Sequence, residues 1–339
     1  MEQAEGAGRA GIEDGPDTLA AQGEIAALAR IIPRLGTADA ALLGPGDDAA
    51  VLAAADGRFV VTTDLMVHGP DFRLAWSTPY ELGWKAAATN LTDVAAMGAR
   101  PTALVVAIAA PADTRVGVLE GVAEGLRASL DRLAPGAGVV GGDLSVSSVL
   151  TIAVTAFGDL EGRAPVLRSG ARAGDVIAHA GTRGDAARGL ALLFDEGTDA
   201  SGEPDASAAE RLRAEHPQLI AAQLAPTPPV YAGVVAAAAG ATAMLDVSDG
   251  LARDALRVAR ASGVDLDFST DALGPDPRLA LAGAEDHGLL ATFPAGVTVP
   301  PPFEVIGRVI RGTGAVRVDG VLAGAAGWDP YADWDGRAG

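Results

Sequence analysis

Apolar runs of strand length recur along the chain among longer helical patterns, but never in strict alternation with them, and this limits the fold more than any other feature. Strict alternation would build a parallel sheet covered on both faces; the mixture predicts an α/β protein of α+β layers. In the first half, strands are expected at 49–52, 59–62, 103–109 and 149–157, and helices over 18–35, 79–97 and 114–133. Pro79 suits a first helical turn. A stretch of Gly, Arg and Pro over 159–175 resets the pattern. Beyond it, strands are expected at 176–180, 243–246, 264–268, 289–293 and 305–309, with helices from about 185 and over 251–262, and a loop of small and acidic residues at 196–206. The 339 residues are therefore divided into a disordered tail at 1–17, an N-terminal domain at 18–160 and a C-terminal domain at 161–339.

Composition removes several functions. The absence of cysteine excludes disulfides, thiolate metal sites and cysteine nucleophiles. A formal net charge of −19 argues against a nucleic-acid partner. No uncharged apolar run reaches membrane-spanning length, and residues 1–17 lack the basic start and apolar stretch of a secretory signal, so no membrane partner and a cytoplasmic location are expected.

The acids are concentrated in turns. Gly46-Asp47-Asp48 precedes an apolar run, Thr62-Thr63-Asp64 ends one, Gly141-Gly142-Asp143 follows one, and Asp246-Val247-Ser248-Asp249 joins a strand to a helix. Asn90 and Asp93 share one face of a helix rich in alanine. Carboxylates and hydroxyls at strand ends are hard oxygen ligands suited to Mg2+, which bridges acids to phosphates. Two like charges ~4 Å apart cost roughly 4 kcal/mol at an effective dielectric of about 20, so clustered acids call for a cation. Each motif by itself also reads as a turn or helix cap, and the set is compatible with calcium. No EF-hand, Walker A, HExxH or G-x-S-x-G pattern is present. The turn at 181–189 reads as a helix start capped by Asp185, with a phosphate seat as the other reading.

In order and spacing, GPGDDAAVL (44–52), TTD (62–64), KAAATNLTDVAAMGARP (85–101), GGDLS (141–145), LRSGARAGD (167–175), GTRGDAARGL (181–190), LDVSDGL (245–251) and AEDHGLL (284–290) resemble the thiamine-monophosphate kinase family, within the superfamily of aminoimidazole ribonucleotide synthetase. The resemblance spans nearly the whole chain. It implies a two-domain aminoimidazole ribonucleotide synthetase-like fold and a homodimer formed through the N-terminal sheet. The implied reaction is direct in-line transfer of the ATP γ-phosphate to thiamine monophosphate with Mg2+. Carried over by position, Asp48, Thr62, Thr63, Asp64, Asp93, Asp143, Asp246 and Asp249 are the implied metal ligands. Gly142, Asp143, Arg168 and Ser248 are the implied ATP contacts, and Asp64, Asp93, Asp246 and Arg168 the residues expected to carry catalysis. Glu285 and Trp328 fall where the family contacts thiamine phosphate, and Asp71 stands where it has a substrate-side histidine.

The departures lie on the substrate side. The family's His-Phe pair is Asp71-Phe72, with His68 three residues earlier as a candidate replacement; its Gly-Gly-Glu-Asp-Tyr is Gly283-Ala284-Glu285-Asp286-His287; its His-Phe ending is replaced by a stretch containing Pro330-Tyr331. The alternative to the kinase is a non-catalytic nucleotide or metal sensor, or another ATP-dependent enzyme of the superfamily. The cysteine required by two of those relatives is absent.

Overall fold

The computed structural model describes residues 17–44 and 50–328. Asp47, Asp48, Pro330, Tyr331 and most of the expected tail lie outside the described residues. The first half contains α1 (Leu19–Gln22), α2 (Glu24–Ile31), β1 (Ala41–Leu43), β2 (Val51–Leu52), β3 (Val60–Val67), α3 (Pro79–Ala96), β4 (Arg100–Ala110), α4 (Val116–Leu133), β5 (Gly138–Val146) and β6 (Thr151–Asp159). The second contains β7 (Val176–Ala180), α5 (Asp185–Glu196), α6 (Ala206–Glu215), α7 (Pro217–Leu224), α8 (Tyr231–Ala238), β8 (Ala243–Val247), α9 (Leu251–Ser262), β9 (Val264–Phe268), α10 (Pro277–Ala282), β10 (Gly288–Phe293), β11 (Glu304–Arg311), β12 (Val316–Val318) and β13 (Val321–Leu322).

Two mixed sheets result. One has the order β3-β6-β4-β5 and the other β13-β12-β9-β11-β7-β10-β8. The helix expected over 18–35 is instead broken at Gly23, whose φ of 73° leaves the helical region. β5 was not expected as a strand: its Gly141-Gly142-Asp143 reads as a turn, yet it pairs parallel to β4 through Gly142↔Val106 and Asp143↔Ala107.

The helix that matters most is α3. Thr78 accepts from the Glu81 amide while Glu81 reaches back to the Thr78 amide, a capping box with Pro79 in the first turn. α3 lies against α4 at backbone contact, because a side chain at Gly83 would come within 1.9 Å of Val122 O, and one at Gly125 within 1.9 Å of Tyr80 O. Its far side meets the second half. A side chain at Gly233 would fall 2.1 Å from Ala95 O, and the largest apolar cluster joins Leu91, Ala95 and Val154 to Met244, Leu289 and Phe293. α3 therefore forms the seam between the two sheets, fixed from both sides by close packing.

Candidate active site

Two cavities open along this seam. The larger, about 550 Å³, is lined by Thr62, Asp93, Arg168 and Asp246. The smaller, about 270 Å³, is lined by Asp71, Lys85, Gln223, Glu285 and Trp328 among apolar side chains.

The period-two geometry of β3 sorts the Thr62-Thr63-Asp64 motif. Thr62 faces α3 and its Oγ1 donates to Asp93 Oδ2 at 3.1 Å. Asp64 points to the same side, where its charge reaches Asp93, Asp71 and His287. Thr63 faces the other way, with Oγ1 donating to Val154 O at 3.0 Å and accepting from Thr155 Oγ1 at 3.2 Å.

Asp93 comes from α3 and Asp246 from β8, where it sits opposite Leu289 and is 6 % exposed. The two carboxyls line the same cavity across the seam, close enough for the charge of one to act on the other. Burial raises the pKa of both; the charge of Asp93 raises Asp246 further, and Arg168 pulls each back down. Protonation therefore replaces a counter-ion, and a divalent cation would take the proton's place. Among the described residues, no three His, Cys, Asp or Glu side chains gather tightly enough to hold a metal ion. Mg2+ asks for less, since it is commonly bound by one or two carboxylates, waters and substrate phosphates. The hard-oxygen set of Thr62, Asp64, Asp93 and Asp246 fits that chemistry.

Next to Asp246, the loop carrying Ser248 and Asp249 is held by Asp254, which is fully buried and accepts from the Ser248 and Asp249 amides at 3.1 and 3.0 Å. Arg257 bridges Asp254 and Asp249, at 2.5 Å to each. Burial raises Asp254 to about 6 against the pull of Arg257.

In the smaller cavity, Asp71 accepts from the Val67 amide at 2.7 Å. His68 instead packs its ring on Phe72, 5.6 Å between centroids, and Asp71 is the one that lines the cavity. Glu285 forms an ion pair with Lys85, which is 5 % exposed. Burial pushes Glu285 up, but Lys85 and His287 outweigh it, and the carboxyl lies below its usual range. Trp328 is tied to the Asp249 loop by its amide, which donates to Asp249 O at 2.8 Å.

The turn before α5 corrects the expectation that Asp185 caps it. Asp286 fills that role from across the cleft, accepting from Thr182 Oγ1 at 2.9 Å and from the amides of Gly184, Asp185 and Ala186 at 2.5, 3.1 and 3.2 Å. A protein carboxylate thus occupies the helix N-terminus where a phosphate seat was the other reading. Glu285 and His287, on either side of Asp286, have φ of 71° and 52°. Both ring nitrogens of the buried His287 lack a hydrogen-bond partner, and burial lowers its pKa.

Asp143 is separate from this group. Asp64, Val154, Val106 and Gly142 lie in one row across the sheet, which puts Gly142 three strands, or about 14 Å, from Asp64. Asp143 faces the side that Thr63 faces, where Ser145 Oγ donates to it at 2.8 Å.

Residues 46–160 match the AIR synthase related protein N-terminal domain, and residues 172–304 match the corresponding C-terminal domain. The thiamine-monophosphate kinase of Mycobacterium tuberculosis is 44 % identical over 336 residues, spanning 94 % of this chain and 95 % of its own. The chain belongs to the thiamine-monophosphate kinase family. A solved thiamine-monophosphate kinase from Stenotrophomonas maltophilia superposes with a TM-score of 0.74 at 33 % identity, covering 88 % of this chain and 97 % of that one. A second solved member, described as AaThiL complexed with AMPPCP and TMP, has a TM-score of 0.69 at 32 % identity over 83 % of this chain and 90 % of its own. For a member of this family, sequence reasoning missed Lys85, Asp254 and Asp286 as parts of the site. Lys85 had a signal: it is the only lysine in a chain that otherwise uses arginine.

Proposed function

We propose that this chain transfers the γ-phosphate of ATP to thiamine monophosphate, giving thiamine diphosphate and ADP. The observation that carries the proposal is the meeting of Asp93 and Asp246, from opposite halves, in one cavity of the seam, while Glu285 and Trp328 line the other. Thr62, Asp64, Asp93 and Asp246 would hold Mg2+, with Asp249 at the edge of the group; Asp48 rests on the sequence resemblance alone. When bound, Mg2+ supplies neutralisation of the acids and the phosphates. Arg168, exposed at the mouth of the larger cavity, offers a fork of donors to phosphate oxygens. Ser248 is positioned for ATP by the Asp254 clamp. The acceptor is an already ionised phosphate oxygen, so positioning and charge do the work that a strong base does elsewhere. Asp71, Glu285 and Trp328 take the thiamine end.

We also read the active unit as a homodimer. The face of the N-terminal sheet turned away from α3 exposes Val61 and Leu65, 53 % and 51 %, alongside Thr63. Packing this face on a second copy covers that apolar surface and brings the Asp143 of one copy toward the Thr63 edge of the other, so that Gly142 and Asp143 join the nucleotide site from across the interface. The division between domains is placed at 160/161, supported by the end of β6 at Asp159 and the start of β7 at Val176. The cytoplasm, where ATP is made available, is the proposed location. Among the described residues, no helix is long and apolar enough to cross a membrane.

The test is direct. Purified protein with ATP, Mg2+ and thiamine monophosphate is expected to yield thiamine diphosphate. Nucleotide binding without product points to the sensor.

A further inference from the structure

The smaller cavity carries one carboxyl that the protein does not neutralise. Asp71 is half-buried in its wall, just beyond the end of β3. A reciprocal turn locks it in place: its amide donates to Val67 O at 3.1 Å, and its Oδ2 accepts from the Val67 amide at 2.7 Å. That is the only hydrogen bond to its carboxyl among the described residues, so Oδ1 is left to the cavity that Asp71 lines. Burial raises the pKa of this carboxyl and the Val67 amide lowers it, while the like charge of Glu285 raises it and Lys85 lowers it.

The other charges of the wall are already engaged. Lys85 is paired with Glu285. Arg73 is buried and holds its guanidinium over the rings of Trp76 and Phe194, 5.1 and 4.9 Å from their centroids. Ser77 and Gln223 are neutral, and the rest of the wall is apolar or aromatic. Asp71 forms no ion pair among the described residues. A carboxylate held rigidly in such a wall without a counter-ion calls for a cation on the ligand.

The position of Asp71 says which part of the ligand this is. It feels the charge of Asp64, from the acids of the metal side, and also the charges of Glu285 and Lys85, from the thiamine end, so it stands where the two groups join. On the proposed function above, on which this rests, thiamine monophosphate directs its phosphate toward Asp93 and Asp246. The next group along the molecule is the thiazolium ring, which bears a permanent positive charge; the pyrimidine beyond it is neutral. We infer that Asp71 is a specificity-determining residue whose Oδ1 faces the thiazolium ring and supplies its counter-charge. The aromatic side chains of Phe72, Trp76, Phe194 and Trp328 are then left to enclose the flat rings.

The experiment compares thiamine monophosphate with its deaza analogue, in which carbon replaces the thiazolium nitrogen, so that the ring is neutral while its shape and the phosphate are kept. Wild-type protein, Asp71→Asn and Asp71→Ser are assayed, with thermal unfolding as the check on folding. Wild type should favour the cationic substrate by roughly 10- to 100-fold in kcat/KM. Asp71→Asn keeps an oxygen for the Val67 amide and loses only the charge. It should raise KM for thiamine monophosphate by about 10-fold, leave KM for ATP unchanged and cut the preference by at least about 5-fold, the remainder belonging to the aromatic rings. KM for the neutral analogue should change little, whereas a merely structural role would weaken both substrates alike. A folded Asp71→Asn with the wild-type preference, or a wild type with no preference, overturns the inference. If Asp71→Asn does not fold, an undiminished preference in Asp71→Ser overturns it. Wild type that makes no thiamine diphosphate from thiamine monophosphate sinks the underlying assignment of function instead.

Discussion

Asp93 on α3 and Asp246 on β8 line one cavity, and the charge of Asp93 raises the pKa of Asp246, although the two come from different halves of the chain. Two anions cannot hold that arrangement unaided in a half-buried seam. Either a proton or a cation sits between them.

Stability should therefore depend on pH in opposite ways with and without metal. Both folded pKa values lie above the ordinary 3.8, so the folded form binds more protons than the unfolded chain. With chelator present, the contribution of the pair is fully present below about 3.8 and is lost as pH rises through the raised range. Added Mg2+ should recover Tm at neutral pH and have little effect near pH 4. A chelated protein whose Tm is indifferent to pH between 4 and 7, in a scan of unfolding temperature, contradicts the pairing.

Neutral substitutions separate charge from shape. Asp246→Asn and Asp64→Asn should each reduce turnover by orders of magnitude while the circular dichroism spectrum stays the same, since the mutated groups neutralise phosphate charge rather than fill the core. In Asp246→Asn the metal-free Tm should hold or rise, because one of two mutually repelling acids is gone. Near-normal turnover in both variants removes these residues from the chemistry.

Subunit mixing tests the position of Asp143. Asp143→Asn and Asp246→Asn homodimers should each be nearly inactive. If the two residues serve one site from different copies, equal mixing with subunit exchange gives heterodimers with one intact site, and activity should return to about a quarter of wild type. If both residues serve a site within one chain, both sites of every heterodimer stay damaged and activity stays low.

Asp286→Ala tests the cap on α5. Four donors lose a buried carboxylate at once, so the protein should lose about 3 kcal/mol of stability by chemical denaturation. Because Asp286 anchors the positive-φ segment that carries Glu285, KM for thiamine monophosphate should rise more than KM for ATP. Equal changes in both constants would confine Asp286 to a stability role.

The order of the strands and helices was largely legible in the sequence, because it depends on local apolar spacing: β7 and β9 fall at the expected residues, and α3 starts at Pro79 with its cap. The motifs also named the acids. Sequence alone did not show that β5 is a strand, since two glycines and an aspartate favour a turn until a neighbouring strand supplies hydrogen bonds. Nor did it show that Asp286, and not Asp185, caps α5, or that Thr63 turns away from Thr62 and Asp64, because a helix start takes any well-placed acceptor and strand direction becomes a location only once the sheet is packed. Which acids are neighbours was settled by tertiary structure: the close approach of α3 to α4 on one side and to α8 on the other sets where Asp93 ends, and only there does it meet Asp246.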